Sequence, residues 1–325
     1  EPFRLVSCSP ELSSTSCYQL HPFLMHPVLK DLLDLLTLEL IDDNIFRGQS
    51  RDIGSAQVFG GQVLGQALTA AHHTVDADRR AHSLHAYFLR RGDMNAPIIY
   101  EVDRARDGGS FSVRRVVAIQ HGTPIFNLAA TLQSPESGLE HQAEMPEVNG
   151  PDGLQDLTEV DPDVLRKIPE KMRRFLTRKR PFEFRLVHPL DFTTPERRSP
   201  LMYVWIKAVD SLPDDGALHQ NLLAYISDYE LLGTSTLPHG LTFDRSRVMM
   251  ASLDHALWFH RDFRVDEWLL YSMDSPNSSG ARGFSRGQFF TAEGVLVASS
   301  TQEGLVRVLS EEAGNSKRSD PKSQA

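Results

Sequence analysis

The hydrophobic and polar positions of this 325-residue chain follow one arrangement twice. In each half, apolar residues spaced three and four apart are followed by several segments in which apolar and polar residues alternate. The first spacing is typical of an amphipathic helix, and the second is typical of strands with one buried face. The two series span residues 27–135 and 201–309. The pattern therefore predicts two units of similar architecture.

The first unit opens with two predicted helices. The first helix spans residues 27–40, and the second begins at a glycine pair after residue 59 and ends near residue 73. A short strand over residues 45–48 separates them. Four longer strands follow, over residues 81–90, 98–105, 110–120 and 125–133.

The second unit repeats this order with a helix over residues 218–230. Five strands follow, over residues 247–252, 255–259, 267–274, 281–291 and 295–309. A helix followed by an antiparallel meander, twice over, is an α+β layout and lacks the βα alternation of a parallel sheet. Each unit would leave exposed sheet edges, which can pair with each other. We therefore predict one continuous sheet.

The segment between the units and the two chain ends have no such periodicity. Residues 136–200, rich in Pro, Gly and charge, are predicted to be a linker, and residues 310–325 a disordered tail. We interpret residues 1–26 as a disordered extension or a vector-derived remnant, with Met25 as an alternative natural start. The linker contains eight Lys or Arg within residues 166–180. These residues either attract ligand phosphates or form a solvated helix, and the second interpretation is favoured.

Composition narrows the class of protein. The net charge of -9 argues against a nucleic-acid partner. No stretch has the apolar length of a membrane helix, so no membrane partner is expected. Both cysteines, Cys8 and Cys17, lie near the amino end, and the rest of the chain has neither a disulfide nor a cysteine nucleophile. This distribution suits a reducing interior, and we predict a cytoplasmic protein.

One motif matches the serine-hydrolase nucleophile elbow, G-x-S-x-G, at Gly283-Phe284-Ser285-Arg286-Gly287. An elbow requires a strand before the serine and a helix after it. Here both sides predict strand. Hydrolases of this class also need a histidine later in the chain, and none follows His260. We therefore do not expect Ser285 to be a nucleophile.

The thirteen histidines do not form a metal-binding pattern. No H-E-x-x-H occurs, and no histidine pair has a partner acid at ligand spacing. We expect no metal and no other cofactor. His85 and His255 are interpreted as strand residues bonded to the backbone, although His255 is kept as a candidate substrate contact.

The glycine pair Gly60-Gly61 is a second candidate for substrate binding. Glycines at a helix start allow close approach of another group and expose backbone amides. These amides could hold a carbonyl oxygen or a phosphate. The pair could equally serve tight packing of helix against sheet, and the sequence leaves both interpretations open.

Three polar residues lie in segments that otherwise predict core: Asp228, Ser252 and Gln302. Burial of such groups costs free energy unless they hydrogen-bond to each other or to water. A cluster of this composition suits water activation, in which Asp228 accepts a proton while Ser252 and Gln302 orient the water. A thioester is an apt target because sulfur conjugates weakly with the carbonyl. A helix-capping aspartate and a satisfied core glutamine are the alternatives.

Several strings of residues resemble type II acyl-CoA thioesterases, the double-hotdog family of bacteria and peroxisomes, from about residue 33 to residue 307. The strings occur in the order of the family and lie at residues 46–50, 57–63, 82–90, 227–228, 253–261, 268–271, 281–284 and 301–304.

The resemblance implies two hotdog units, each a long helix wrapped by an antiparallel sheet. It also implies hydrolysis of fatty acyl-CoA by activated water, without a covalent intermediate or a cofactor. The family's catalytic Asp, Thr or Ser, and Gln fall on Asp228, Ser252 and Gln302. Many relatives have Thr where this chain has Ser252, which keeps the hydroxyl but loses the methyl group that restricts rotation.

The resemblance further favours a homo-oligomer, either a dimer or a tetramer, because hotdog sheets associate through their edges. One active centre per chain is expected, since the helix at residues 61–73 contains no acid to mirror Asp228. The alternatives are a non-catalytic acyl-CoA binding protein and, less favoured, a hydratase. A hydratase would need a His-Asp pair at a helix entry, and neither helix has one.

Overall fold

The computed structural model describes residues 25–51, 57–191, 196–241 and 248–309. The predicted tail and nearly all of the predicted amino-terminal extension lie outside these residues.

The first unit contains the predicted elements with one added strand. Its elements are α1 (Pro27–Leu36), β1 (Glu39–Asp42), β2 (Ile45–Gly48), α2 (Gly60–His72), β3 (Arg80–Phe88), β4 (Ile98–Asp107), β5 (Phe111–Gln120) and β6 (Thr123–Gln133). The predicted extension of the first helix to residue 40 is wrong. The helix ends at Leu36 because Thr37 adopts an extended backbone and the next residues pair with β2 as β1.

The second part of the chain adds two strands and a 3₁₀ helix that the periodicity did not predict. Its elements are α3 (Pro162–Lys167), α4 (Glu170–Thr177), β7 (Phe182–Leu186), β8 (Leu201–Ala208), α5 (Gly216–Ile226), the 3₁₀ helix (Leu232–His239), β9 (Val248–Ser252), β10 (Asp254–Phe259), β11 (Leu269–Ser279), β12 (Arg282–Thr291) and β13 (Leu296–Val308). Strand β7 lies within the predicted linker and pairs with β8.

The basic run forms two short helices, α3 and α4. Arg166 pairs with Asp163, and Arg174 pairs with Glu170, each within one helix. All four side chains are well exposed. These contacts support the solvated-helix interpretation of this segment.

Strands of the described residues form one antiparallel sheet in the order β1-β2-β4-β5-β6-β3-β10-β13-β12-β11-β8-β7, with β9 paired to β13. The first six strands and the last six mirror each other. The two halves join at β3 and β10, where His85 lies opposite Ala256 and Ala86 lies opposite His255. The predicted continuous sheet of two repeats is confirmed.

Helices α2 and α5 pack against each other in opposite directions. A Cβ atom at Gly61 would lie 2.2 Å from the Tyr225 carbonyl oxygen, and one at Gly65 would lie 3.1 Å from the Asn221 carbonyl oxygen. Glycine at both positions therefore allows the backbones to approach closely. Because the helices are antiparallel, the first turn of α2 lies beside the last turn of α5. This junction carries three of the candidate residues, Gly60, Gly61 and Asp228.

Candidate active site

Asp228 follows the last turn of α5 and reaches across to the first turn of α2. Its Oδ2 accepts a hydrogen bond from the Gly61 backbone N–H at 2.9 Å, and its Oδ1 accepts one from Gln302 Nε2 at 2.7 Å. Phe59, the residue that precedes α2, makes no side-chain cap. The carboxylate from the second unit thus caps the helix of the first unit, where the positive end of the helix dipole stabilises a negative charge.

Gln302 lies on β13 and is fully buried. Its Nε2 also donates to Ser252 Oγ at 3.0 Å. Ser252 ends β9 and lies opposite Gly304 of β13, so the pairing of these strands brings it close to Gln302. Gln302 Oε1 has no partner among the described residues. The predicted cluster of carboxylate, hydroxyl and amide is therefore present, with one amide oxygen able to accept a further hydrogen bond.

The environment of Asp228 opposes its ionisation. Burial raises the pKa of Asp228 from 3.8 to about 6, although hydrogen bonds from Gln302, Gly61 and Ser252 favour the charged form and lower the pKa in part. Asp228 nevertheless lines the cleft and is half-buried as a residue. A carboxylate with a pKa close to neutral pH is suited to accept a proton from water.

The cleft beside Asp228 has a volume of about 360 Å³. Gly60, Asp228, Ser252 and Gln302 all line it. A Cβ atom at Gly60 would lie 2.7 Å from Asp228 Oδ2, so glycine leaves room for the carboxylate at this point. The Gly61 N–H faces Asp228 instead. Direct substrate contacts by the glycine pair stay predictions.

His255 occupies a different place from the other candidates. It is buried on β10, and its Nε2 lies 2.9 Å from Ser227 Oγ. Its partner is thus a side chain, not the backbone that the sequence favoured. Burial lowers the pKa of His255 to about 3, so the imidazole stays neutral near pH 7. His255 holds the residue before Asp228, and a substrate contact by His255 stays a prediction.

Several residues that support the site were missed by sequence reasoning. Tyr271 OH donates to the Ser227 carbonyl oxygen at 2.9 Å and contacts Ser300 Oγ at the same distance. On the other side, the Phe59 ring packs against Tyr225 and Tyr229. Only the four-residue spacing of the two tyrosines, which places them on one face of the predicted helix over residues 218–230, signalled a shared contact. The helix ends earlier than predicted, at Ile226, so Tyr229 lies just beyond it.

The G-x-S-x-G motif lies within a strand, as its sequence predicted, and not at a strand-to-helix turn. Ser285 lies in the middle of β12, opposite Gln302. A Cβ atom added at Gly283 would clash with Ser235, and one added at Gly287 would clash with Tyr271. Within the described residues, no three His, Cys, Asp or Glu side chains are grouped to hold a metal ion. No helix in the described parts of the chain is long and apolar enough to cross a membrane.

Comparison with known proteins places this arrangement in a family. The family model for acyl-CoA thioesterases matches residues 180–305, and the model for the acyl-CoA thioesterase N-terminal domain matches residues 48–133. Acyl-CoA thioesterase 2 of Haemophilus influenzae is 42% identical over 283 residues, covering 87% of this chain and 99% of the relative. Human acyl-coenzyme A thioesterase 8 is 40% identical, with 84% of this chain and 88% of the relative covered.

Solved structures agree with the sequence relatives. Acyl-CoA thioesterase II TesB2 from Mycobacterium marinum is 41% identical, with a TM-score of 0.71 over 86% of this chain and 99% of its own. A hot dog fold protein from Alicyclobacillus acidocaldarius, 20% identical, shares the fold with a TM-score of 0.67 over 86% of this chain and 99% of its own. The chain therefore belongs to the acyl-CoA thioesterase family and has a double-hotdog fold.

Proposed function

We propose that this protein hydrolyses fatty acyl-CoA to a free fatty acid and CoA. The observation that carries the proposal is the contact of Asp228, Gly61 and Gln302 at the cleft, where the Asp228 carboxyl has a pKa of about 6. The family relatives named as acyl-CoA thioesterases support the same substrate class. The reaction needs water and a general base, and the cleft offers both access and a carboxylate.

In the proposed mechanism, Asp228 removes a proton from a water molecule while the water oxygen attacks the thioester carbonyl carbon. Gln302 Oε1, which has no partner among the described residues, accepts the second hydrogen of that water. The tetrahedral intermediate then collapses, the carbon–sulfur bond breaks, and Asp228 returns its proton to the departing sulfur. Atoms and charge balance without a covalent enzyme intermediate.

Release of free thiol tests the function directly. The purified protein is mixed with palmitoyl-CoA and a thiol-trapping reagent, and binding is measured in parallel by calorimetry. We expect catalytic thiol release, with many turnovers per protein molecule. Binding without thiol release would instead identify a non-catalytic acyl-CoA binding protein.

The pH dependence of kcat/KM provides a second measurement. The base acts only when deprotonated, so kcat/KM should fall about tenfold per pH unit below a pKa of about 6 and level off above pH 7. The profile is measured from pH 4.5 to 8.5 with palmitoyl-CoA. A profile that is flat between pH 5 and pH 7 would contradict Asp228 as the base.

Substitution of Ser252 tests its part in orienting Gln302. Ser252→Ala removes the acceptor of one Gln302 N–H and should lower kcat about tenfold, because a buried amide hydrogen then loses its partner. Ser252→Thr keeps the oxygen and should remain within about threefold of the parent protein. Equal kcat values for the two variants would show that the hydroxyl has no role.

We further propose, from the family resemblance, a cytoplasmic homo-oligomer, either a dimer or a tetramer. Strand β1, whose residues are all exposed at one end of the strand order, is consistent with association through sheet edges.

A further inference from the structure

A second cavity, of about 240 Å³, adjoins the cleft at Asp228. The two cavities share one wall, formed by Gln57, Val58, Gly60, Ala251 and Ser252. Asp228 and Gln302 border only the larger cavity. A molecule that passes through both cavities therefore has its middle atoms beside Gly60 and Ser252, within reach of the proposed base.

We call the larger cavity the methionine arm, after the three methionines in its lining; polar side chains, among them Glu230 and Thr236, line it as well. Its apolar lining includes Met202, Leu232, Leu241, Val248, Met249 and Met250. Flexible thioether side chains adapt to chains of different length and shape. The methionine arm is thus suited to a hydrocarbon.

We call the smaller cavity the arginine arm, after Arg90 and Arg91. Near Gly60 its wall is apolar and buried, with Val63 and Phe126 among the lining residues. The two arginines are exposed, so they lie at the outer end of the cavity. This arm is apolar inside and cationic at its mouth.

Arg90 and Arg91 form no ion pair with the described carboxylates. One Nη1–H of Arg90 donates to the Pro124 carbonyl oxygen at 2.7 Å, which fixes the guanidinium and leaves its other N–H groups for a ligand. These two guanidinium groups give the mouth of the cavity a positive charge, in a chain whose net charge is -9. Guanidinium groups bind phosphate oxygens through paired hydrogen bonds.

We propose that the two arms divide the substrate at the thioester. The acyl chain occupies the methionine arm, the pantetheine segment of CoA crosses the arginine arm, and the phosphates of its nucleotide end bind Arg90 and Arg91. This assignment rests on the proposed acyl-CoA hydrolysis. It places the reacting carbonyl at the shared wall, next to Asp228.

A series of three thioesters tests the phosphate contact. Palmitoyl-CoA, palmitoyl-3′-dephospho-CoA and palmitoyl-pantetheine carry the same acyl group with progressively fewer phosphates. For the double variant Arg90→Ala/Arg91→Ala we expect KM for palmitoyl-CoA to rise about tenfold or more, with a smaller rise for the dephospho compound. KM for palmitoyl-pantetheine should stay within about twofold, because that substrate has no nucleotide phosphates to lose.

A matched control removes two exposed arginines from strands β4 and β5, away from the cleft. Arg106→Ala/Arg115→Ala makes the same change in net charge. If both double variants change KM for palmitoyl-CoA equally, the arginine arm has no phosphate site. If the double variant is unstable, Arg91→Glu repeats the test, because it keeps the Arg90–Pro124 hydrogen bond. An unchanged KM of Arg91→Glu for palmitoyl-CoA would also overturn the proposal.

Chain-length selectivity tests the methionine arm. Met250→Trp fills part of this arm and should lower the ratio of kcat/KM for palmitoyl-CoA over butyryl-CoA by about tenfold. Met250→Ala enlarges the arm and should not lower that ratio. An unchanged ratio in Met250→Trp would place the acyl chain elsewhere. If the parent protein releases no thiol from any substrate, the proposed hydrolysis itself is wrong. If it releases thiol, but the arginine variants leave KM unchanged and Met250→Trp leaves the chain-length ratio unchanged, only the assignment of the two arms is wrong.

Discussion

Asp228→Asn is expected to lower kcat on palmitoyl-CoA by on the order of a thousandfold, while the protein stays folded. Loss of a general base costs about 10²–10⁴ in rate. The amide oxygen of an asparagine can still accept from the Gly61 N–H, so the cap on α2 is retained. The Gln302 side chain can rotate to offer its unpartnered Oε1 to the new amide. Near-normal turnover in this variant would remove Asp228 from the mechanism.

The same variant should gain stability at high pH. The folded-state pKa of Asp228, about 6, lies above its ordinary value of 3.8, so the folded protein holds this proton more tightly than the unfolded chain. Below pH 3.8 the carboxyl is neutral in both states and burial carries no charge penalty. Above pH 6 the folded state bears the cost of a desolvated charge, at most about 3 kcal/mol for the shift of about two units. We expect about 1–2 kcal/mol, because Asp228 lies at the cleft and is half-buried as a residue.

Urea unfolding at pH 4, 6 and 8 measures this difference in the free energy of unfolding. The stability of Asp228→Asn relative to the parent protein should rise with pH, since asparagine does not ionise. Asp254→Asn is the matched control. Asp254 also has a pKa raised by burial, accepts from the Glu303 N–H, and does not line the cleft. The kcat of Asp254→Asn should equal that of the parent protein. A fall in kcat as large as that of Asp228→Asn would indicate general damage to the fold.

Gly61→Ala is expected to lower the free energy of unfolding by about 3 kcal/mol or more. The added Cβ would lie 2.2 Å from the Tyr225 carbonyl oxygen and 2.4 Å from the Phe59 ring. Because the nearest atom is backbone, α2 and α5 must move apart. That movement lengthens the Gly61–Asp228 hydrogen bond, so activity should fall with stability.

Gly65→Ala provides the comparison one helical turn away. Its nearest atoms would be Leu36 Cδ2 at 3.0 Å and the Asn221 carbonyl oxygen at 3.1 Å. A side-chain methyl can yield, and alanine favours the helix by up to about 1 kcal/mol. We therefore expect a change within about 1 kcal/mol. Equal urea midpoints for the two variants would contradict close packing at Gly61.

Periodicity was sufficient for most of the long elements of this protein, although it missed the eight-residue strand β8. Strands such as β5 and β12, and the buried helices α2 and α5, have patterns that tertiary contacts only reinforce. The short strands were missed by the sequence prediction for a common reason. The segments Glu39–Asp42 and Phe182–Leu186 are strands because neighbouring strands supply hydrogen-bond partners, and local sequence does not encode that partner.

The two repeats, the succession of their helices and strands, and the unusual polar residues Asp228, Ser252 and Gln302 are all visible in the amino-acid order. The resemblance to a family assigned these residues a role, which stays a prediction. The contact between Asp228 and an amide 167 positions earlier in the chain is visible only in the folded protein. Spacing cannot reveal such a contact, because it depends on the antiparallel packing of α2 on α5 through glycine. The raised pKa of Asp228 has the same origin, since burial is a property of the assembled units and not of the residue.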